Sequence, residues 1–216
     1  MDSITDPKEI EKRSFEIITQ LIGNRPLGVN APIIKRVIHT TADFDYLANL
    51  VFTENVFERT ISVLRGGNFN IVTDTRMSYA GINKRSIENL SGRIHCFIDE
   101  PEVERMSTKI NTTRSAAAVE YAVQTISGPI IFTVGNAPTA LLKICDVIEN
   151  GNILPELVVG VPVGFVNVVE SKERILELPV PAIVAKGRKG GSNVAAAIVN
   201  AIMYAAMSKE CTGVQK

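Results

Sequence analysis

The chain has no excess of charge of either sign. Its 216 residues hold 23 Lys and Arg against 23 Asp and Glu, so it lacks the basic surplus with which a non-specific nucleic-acid binder neutralises phosphates. No window approaches the roughly 20 consecutive apolar residues of a membrane span, and the N-terminus shows no positive stretch followed by an apolar one. Neither export nor insertion is expected. Cysteine is sparse: Cys96, Cys145 and Cys211 stand far apart with no Cys-x-x-Cys spacing, and the first two lie in apolar runs. They read as small buried thiols in a reducing cytoplasm. Histidine occurs twice, at His39 and His95, with no paired ligands beside it, which gives a structural zinc no support. Gly-x-x-x-x-Gly-Lys-Ser/Thr is missing, and no Gly-x-Gly-x-x-Gly follows the first strand with an acid further on. Neither a P-loop nucleotidase nor a Rossmann dehydrogenase fits. No low-complexity linker or internal repeat divides the chain, so a single domain over residues 1–216 is expected.

What the sequence does contain is β-rich runs alternating with helical patterns. The runs lie at 69–72, 94–98, 130–134, 157–161 and 182–185; helical spacing separates them at 84–90, 112–126, 139–149, 171–178 and 192–208. The N-terminal quarter reads as helix: an amphipathic segment from 7 to 22 stopped by Gly23, a second from 31 to 42 with Pro32 in its first turn, and continued helical character over 45–57. Parallel strands need long crossovers. The pattern therefore predicts an α/β fold, a three-layer α/β/α domain with a five-stranded parallel sheet.

Three strand-to-helix turns carry glycine: Gly135-Asn136-Ala137-Pro138, Pro162-Val163-Gly164-Phe165-Val166 and Lys186-Gly187-Arg188-Lys189-Gly190-Gly191-Ser192-Asn193. Such turns emerge at the carboxyl edge of a parallel sheet, where ligands bind. The last places three cations beside three glycines before a helix N-terminus, so charge and free N–H groups converge on an anion; a solvated basic turn is the bland reading. Arg114 opens a helix, where a cation is mildly unfavourable. It is either a ligand for a carboxylate or a surface cation paired with an acid. Asp74 ends the first strand at the same edge or caps the next helix. His95, inside a strand-like run, reads as a hydrogen-bonded core or edge residue. His39 lies on a helix, with Lys35 and Arg36 before it and Thr40, Thr41 and Asp43 after it. It is the candidate proton carrier near neutral pH.

Taken in order, Arg13-Ser14-Phe15-Glu16-Ile17-Ile18, Arg36-Val37-Ile38-His39, Asn111-Thr112-Thr113-Arg114-Ser115-Ala116-Ala117, Gly135-Asn136-Ala137-Pro138-Thr139-Ala140-Leu141, Pro162 to Val166 with Glu170-Ser171-Lys172, and Gly187 to Ser192 resemble the precorrin-8X methylmutase family over nearly the whole chain. The resemblance implies a flavodoxin-like domain acting as a homodimer, an isomerase of cobalamin biosynthesis that moves a methyl group from C11 to C12 of precorrin-8 or cobalt-precorrin-8. It implies no cofactor and no metal of the protein's own. A histidine matching His39 donates and accepts the proton, and a serine matching Ser14 meets substrate. The expected substrate-binding set is completed by Arg36, Arg114, Asn136, Lys186, Gly187, Arg188, Gly190, Gly191 and Ser192. Protonating the conjugated ring would make it electron-poor and ease a suprafacial 1,5 shift. A non-catalytic tetrapyrrole carrier and a mononucleotide binder using the same sheet edge are the alternatives.

Overall fold

The computed structural model describes residues 4–208, so Cys211 lies outside the described residues. Helix α1 (Pro7–Ile22) begins where the Asp6 carboxylate accepts from the amides of Lys8 and Glu9, and it stops at Gly23 with φ of 66°, as capping chemistry dictates. Helix α2 (Ala31–Thr41) follows, with Pro32 in its first turn. The next segment departs from the helical expectation for 45–57. After a single turn, α3 (Tyr46–Asn49), the chain extends as strand β1 (Leu50–Phe52) before α4 (Val56–Gly66). β1 pairs antiparallel with the last strand, Val51 opposite Val184, and the Thr53 hydroxyl accepts from the amide of Ala182, 129 residues onward. A three-residue strand between helical stretches has no periodicity to show, and its partner is remote. The sheet is accordingly six-stranded and mixed, not five-stranded and parallel.

The remaining elements keep the expected β and α alternation, with two further helices, at 76–81 and 101–109, where the sequence pattern placed none: β2 (Asn70–Thr73), α5 (Arg76–Gly81), α6 (Lys84–Asn89), β3 (Arg93–His95), α7 (Pro101–Lys109), α8 (Arg114–Thr125), β4 (Ile130–Val134), α9 (Pro138–Glu149), β5 (Leu157–Gly160), α10 (Val168–Glu177), β6 (Ala182–Ala185) and α11 (Ser192–Met207). Sheet order is β1-β6-β5-β4-β2-β3, all neighbours after the first pair being parallel. Successive strand residues face opposite layers. Ile131 joins a core with α2, α4 and α11, while Ile130, Phe132 and Val134 join one with α8, α9 and α10. Burial on both faces explains the unbroken apolar runs. The small residues of α11, Ala195, Ala197 and Ala201, are buried, which makes that helix core. Among the described residues no helix is long and apolar enough to cross a membrane.

Candidate active site

The sheet reverses its winding between β2 and β4, the point where an open α/β sheet leaves a crevice at its carboxyl edge. Asp74 sits there. It does not cap the following helix, a task performed by Thr75, whose hydroxyl accepts from the Ser78 amide at 3.0 Å. Instead its carboxylate reaches across the crevice and accepts from the amides of Gly135, Asn136 and Ala137 at 3.0, 2.7 and 2.8 Å. Burial pushes the Asp74 carboxyl above its usual range, against those three amides, which favour its ionised form. The donors that a phosphate would seek at this turn are thus taken by an internal anion. The Asn136 side chain stays exposed on top of them.

Next to this turn lies the loop from β6 to α11. Gly135 and Gly190 are glycines because the backbones touch: a Cβ on Gly135 would sit 2.6 Å from the Ser192 Cα, and one on Gly190 would overlap the Val161 carbonyl. The Gly191 amide donates to the Val161 oxygen at 2.9 Å, and the buried Ser192 hydroxyl lies 2.9 Å from that of Thr75. These two groups hold the loop in place, so the array of free N–H groups expected from the sequence is smaller in fact. Lys189 is also engaged, donating to Asp43 and Asp45 at 2.6 Å each. Lys186, Gly187 and Arg188 remain exposed. The Arg188 guanidinium lies 5.9 Å from the ring of Phe165, a residue 83% exposed beside Val166 at 76%.

Beneath the loop is a residue to which sequence reasoning gave no role. Lys172 on α10 is 1% exposed and its ammonium donates to the carbonyls of Gly187 and Lys189, both at 2.8 Å. Burial lowers its pKa to about 8. Between pH 8 and the ordinary lysine value near 10.5 the unfolded chain holds a proton that the folded chain has released, so stability attributable to Lys172 rises with pH across that window. Chemical denaturation of wild type against Lys172→Met should show wild type gaining up to about 3 kcal/mol relative to the variant between pH 7.5 and 10.5. A constant difference would remove the basis for a shifted lysine.

The helical side of the edge holds the candidate proton carrier. His39 occupies the last turn of α2, exposed, with its ring stacked on Phe15 of α1 at 5.1 Å and 13°. Among the described residues no protein group hydrogen-bonds its ring nitrogens, so both are open to a substrate. His95, by contrast, is satisfied by Asn70 at 3.0 Å. Arg36, one turn before His39, lies over Phe15 at 4.7 Å and Tyr204 at 5.3 Å and pairs with Glu11. Ser14 precedes Phe15 and donates to the Ile10 carbonyl at 2.8 Å, leaving its oxygen lone pairs partly free.

These groups form one continuous edge. Arg114 opens α8, and the hydroxyl of its cap Thr113 donates to Thr139 in the first turn of α9, at 2.8 Å. Asn136 precedes that turn. Gly135 touches Ser192, and Lys189 ties the same loop to Asp43, four residues beyond His39. Arg114, Lys186 and Arg188 have no ion-pair partner among the described residues, so Arg114 is not the paired surface cation that the sequence left open. The acidic anchor of Lys189 and the internal carboxylate of Asp74 carry no local sequence signal, because their partners are 146 and about 60 residues away.

Comparison with known proteins points to one family. The family model described as precorrin-8X methylmutase matches residues 9–205. A cobalt-precorrin-8 methylmutase of Salmonella typhimurium is 45% identical over 94% of this chain and 98% of its own, and that of Priestia megaterium is 41% identical over 94% and 89%. A solved precorrin-8x methyl mutase from Thermus thermophilus superposes with a TM-score of 0.83 at 37% identity, covering 91% of this chain and 96% of that one.

Proposed function

The chain belongs to the precorrin-8X methylmutase family, and from that premise we propose how its carboxyl edge performs the methyl shift. It is an isomerase of cobalamin biosynthesis. The substrate is a broad macrocycle fringed with carboxylates, and the edge offers three unpaired cations, Arg114, Lys186 and Arg188, beside the open apolar surface of Phe165 and Val166. This pairing of free cations with bare apolar surface, at an edge that ends on His39, carries the reading. His39 protonates the conjugated ring; the bond from the methyl carbon to C11 breaks as its bond to C12 forms, and the proton then returns to His39. Electron count is unchanged. Stacking on Phe15 sets the plane of the imidazole, and Arg36, 22% exposed, also lies over the Phe15 ring, at 4.7 Å. Ser14 and Asn136 supply neutral hydrogen bonds, and Gly187 lets backbone approach the ring, while Gly190 and Gly191 act from behind by packing the loop against Val161.

The relatives at 45% and 41% identity are named for cobalt-precorrin-8, which supports a substrate that already contains cobalt; the metal belongs to the substrate. Turnover of cobalt-precorrin-8 against its metal-free counterpart tests this, and equal rates would set the preference aside. The same assay separates an enzyme from a tetrapyrrole carrier, and the Asp74 carboxylate at the crevice speaks against a mononucleotide. Counted in chain order, the parallel strands β2 to β6 lie 2-1-3-4-5, which supports a flavodoxin-like sheet with β1 added. The family match over 9–205 supports one domain. Free buried thiols at Cys96 and Cys145, the latter pushed up to about 12 by burial, suit a reducing cytoplasm.

A homodimer completes the proposal. Ile10, Ser14, Ile17 and Leu21 recur at spacings of four, three and four along α1, one face of the helix. Its three apolar members are 44%, 42% and 66% exposed. A second copy is the occupant that would cover such a seam, and Ser14 lies within it.

Arg114 gives a direct check. Loss of one charge-assisted hydrogen bond costs about 1.5 to 3 kcal/mol, so Arg114→Ala should weaken corrinoid binding roughly ten- to a hundredfold, with added salt weakening wild type more than the variant. Equal affinity across salt concentrations would reduce Arg114 to a bystander.

A further inference from the structure

We propose that Lys172 is a positioning residue that sets the curvature of the Lys186 to Gly191 loop and thereby presents Lys186 and Arg188 to the carboxylates of the substrate. The inference rests on the binding role given to that loop above. A lysine 1% exposed is costly to bury unless its donors are used, and here two of them go to alternate carbonyls of one loop, Gly187 and Lys189. The carbonyl between them, that of Arg188, accepts from the Gly164 amide at 3.2 Å. Three successive carbonyls are therefore turned to the protein, while the side chains of Lys186 and Arg188 stay exposed. Lys172, Lys186 and Gly187 also line a cleft of about 280 Å³ between α10 and the loop. Gly187, at φ of 74°, and Gly191, at φ of 135°, have no side chains to stiffen it. With the ammonium gone the stretch from Gly187 to Lys189 would lose two of the contacts that set its path, the anchors at Gly191 and Ser192 staying in place, whereas His39, on another element, would keep its surroundings.

Lys172→Met and Lys172→Arg test this, with Arg188→Ala as reference, read by corrinoid Kd, KM and kcat at several salt concentrations. Lys172→Met should raise Kd and KM roughly tenfold, leave kcat within about twofold and flatten the salt dependence of binding, because cations are no longer aimed. Lys172→Arg, which keeps donors, should restore part of the affinity. Wild-type affinity and salt dependence in Lys172→Met, with Arg188→Ala weakened, would overturn the positioning role alone. Undiminished binding in Arg188→Ala would overturn the loop's part in recognition instead. Failure of both lysine variants to fold would make Lys172 a core residue and overturn the proposal.

Discussion

His39→Ala is expected to lower turnover by at least about a hundredfold while corrinoid affinity stays near that of wild type. A positioned general acid or base contributes about 10² to 10⁴ in rate, and a loss of kcat without loss of affinity marks a group that acts in the transition state. The expectation follows from its place: an exposed ring on the last turn of α2, stacked on Phe15, with both nitrogens open at an edge of unpaired cations. Steady-state kinetics on the folded variant, with product binding followed by its visible spectrum, measures both quantities. His95→Gln is the control. Its ring is tied to Asn70 at 3.0 Å and stacked on Phe97, so chemistry should survive the change. Near-wild-type turnover in His39→Ala would remove the catalytic assignment.

The second large effect is expected from the α1 seam. Ile17→Glu together with Leu21→Glu places two carboxylates on a face that is already exposed in the single chain, so the fold of the protomer has little to lose, while burying those charges between two copies would be costly. Light scattering should shift from a dimer to a mass near 23.5 kDa. Activity should fall about two- to tenfold, the cost of a lost neutral hydrogen bond at Ser14. A wild-type protein that is monomeric and fully active at assay concentration would end the dimer requirement and leave the methyl shift untouched.

Much of this architecture is legible in local pattern. Runs such as 130–134 and 157–161 are apolar without alternation because helices cover both faces, and α1 announces itself through Asp6, Pro7 and Gly23. β1 is not legible, since three residues cannot display a period and their partner lies on β6. At the site, His39 and Ser14 stand within segments that resemble the family, whereas the glycines at 135 and 190 serve close packing of backbone on backbone and not the approach of a ligand. What escapes local pattern is the wiring. Lys189 looks like a free anion ligand until Asp43 and Asp45 are seen around it. Asp74 looks like a helix cap until β4 is placed beside β2, and Lys172 looks like one more helix cation until the loop folds over it. Each depends on an interaction between elements distant in the chain, which periodicity and capping rules do not encode.

The most direct measurement follows the methyl group itself. Cobalt-precorrin-8 carrying a ¹³C-methyl at C11 would be mixed with stoichiometric protein and the carbon followed by NMR. The account predicts that wild type transfers the label to C12 without exchange against added methyl donors, and that His39→Ala binds the substrate yet moves the label at least about a hundredfold more slowly. Label remaining at C11 in the wild-type complex, or moving at the wild-type rate in the variant, would contradict it.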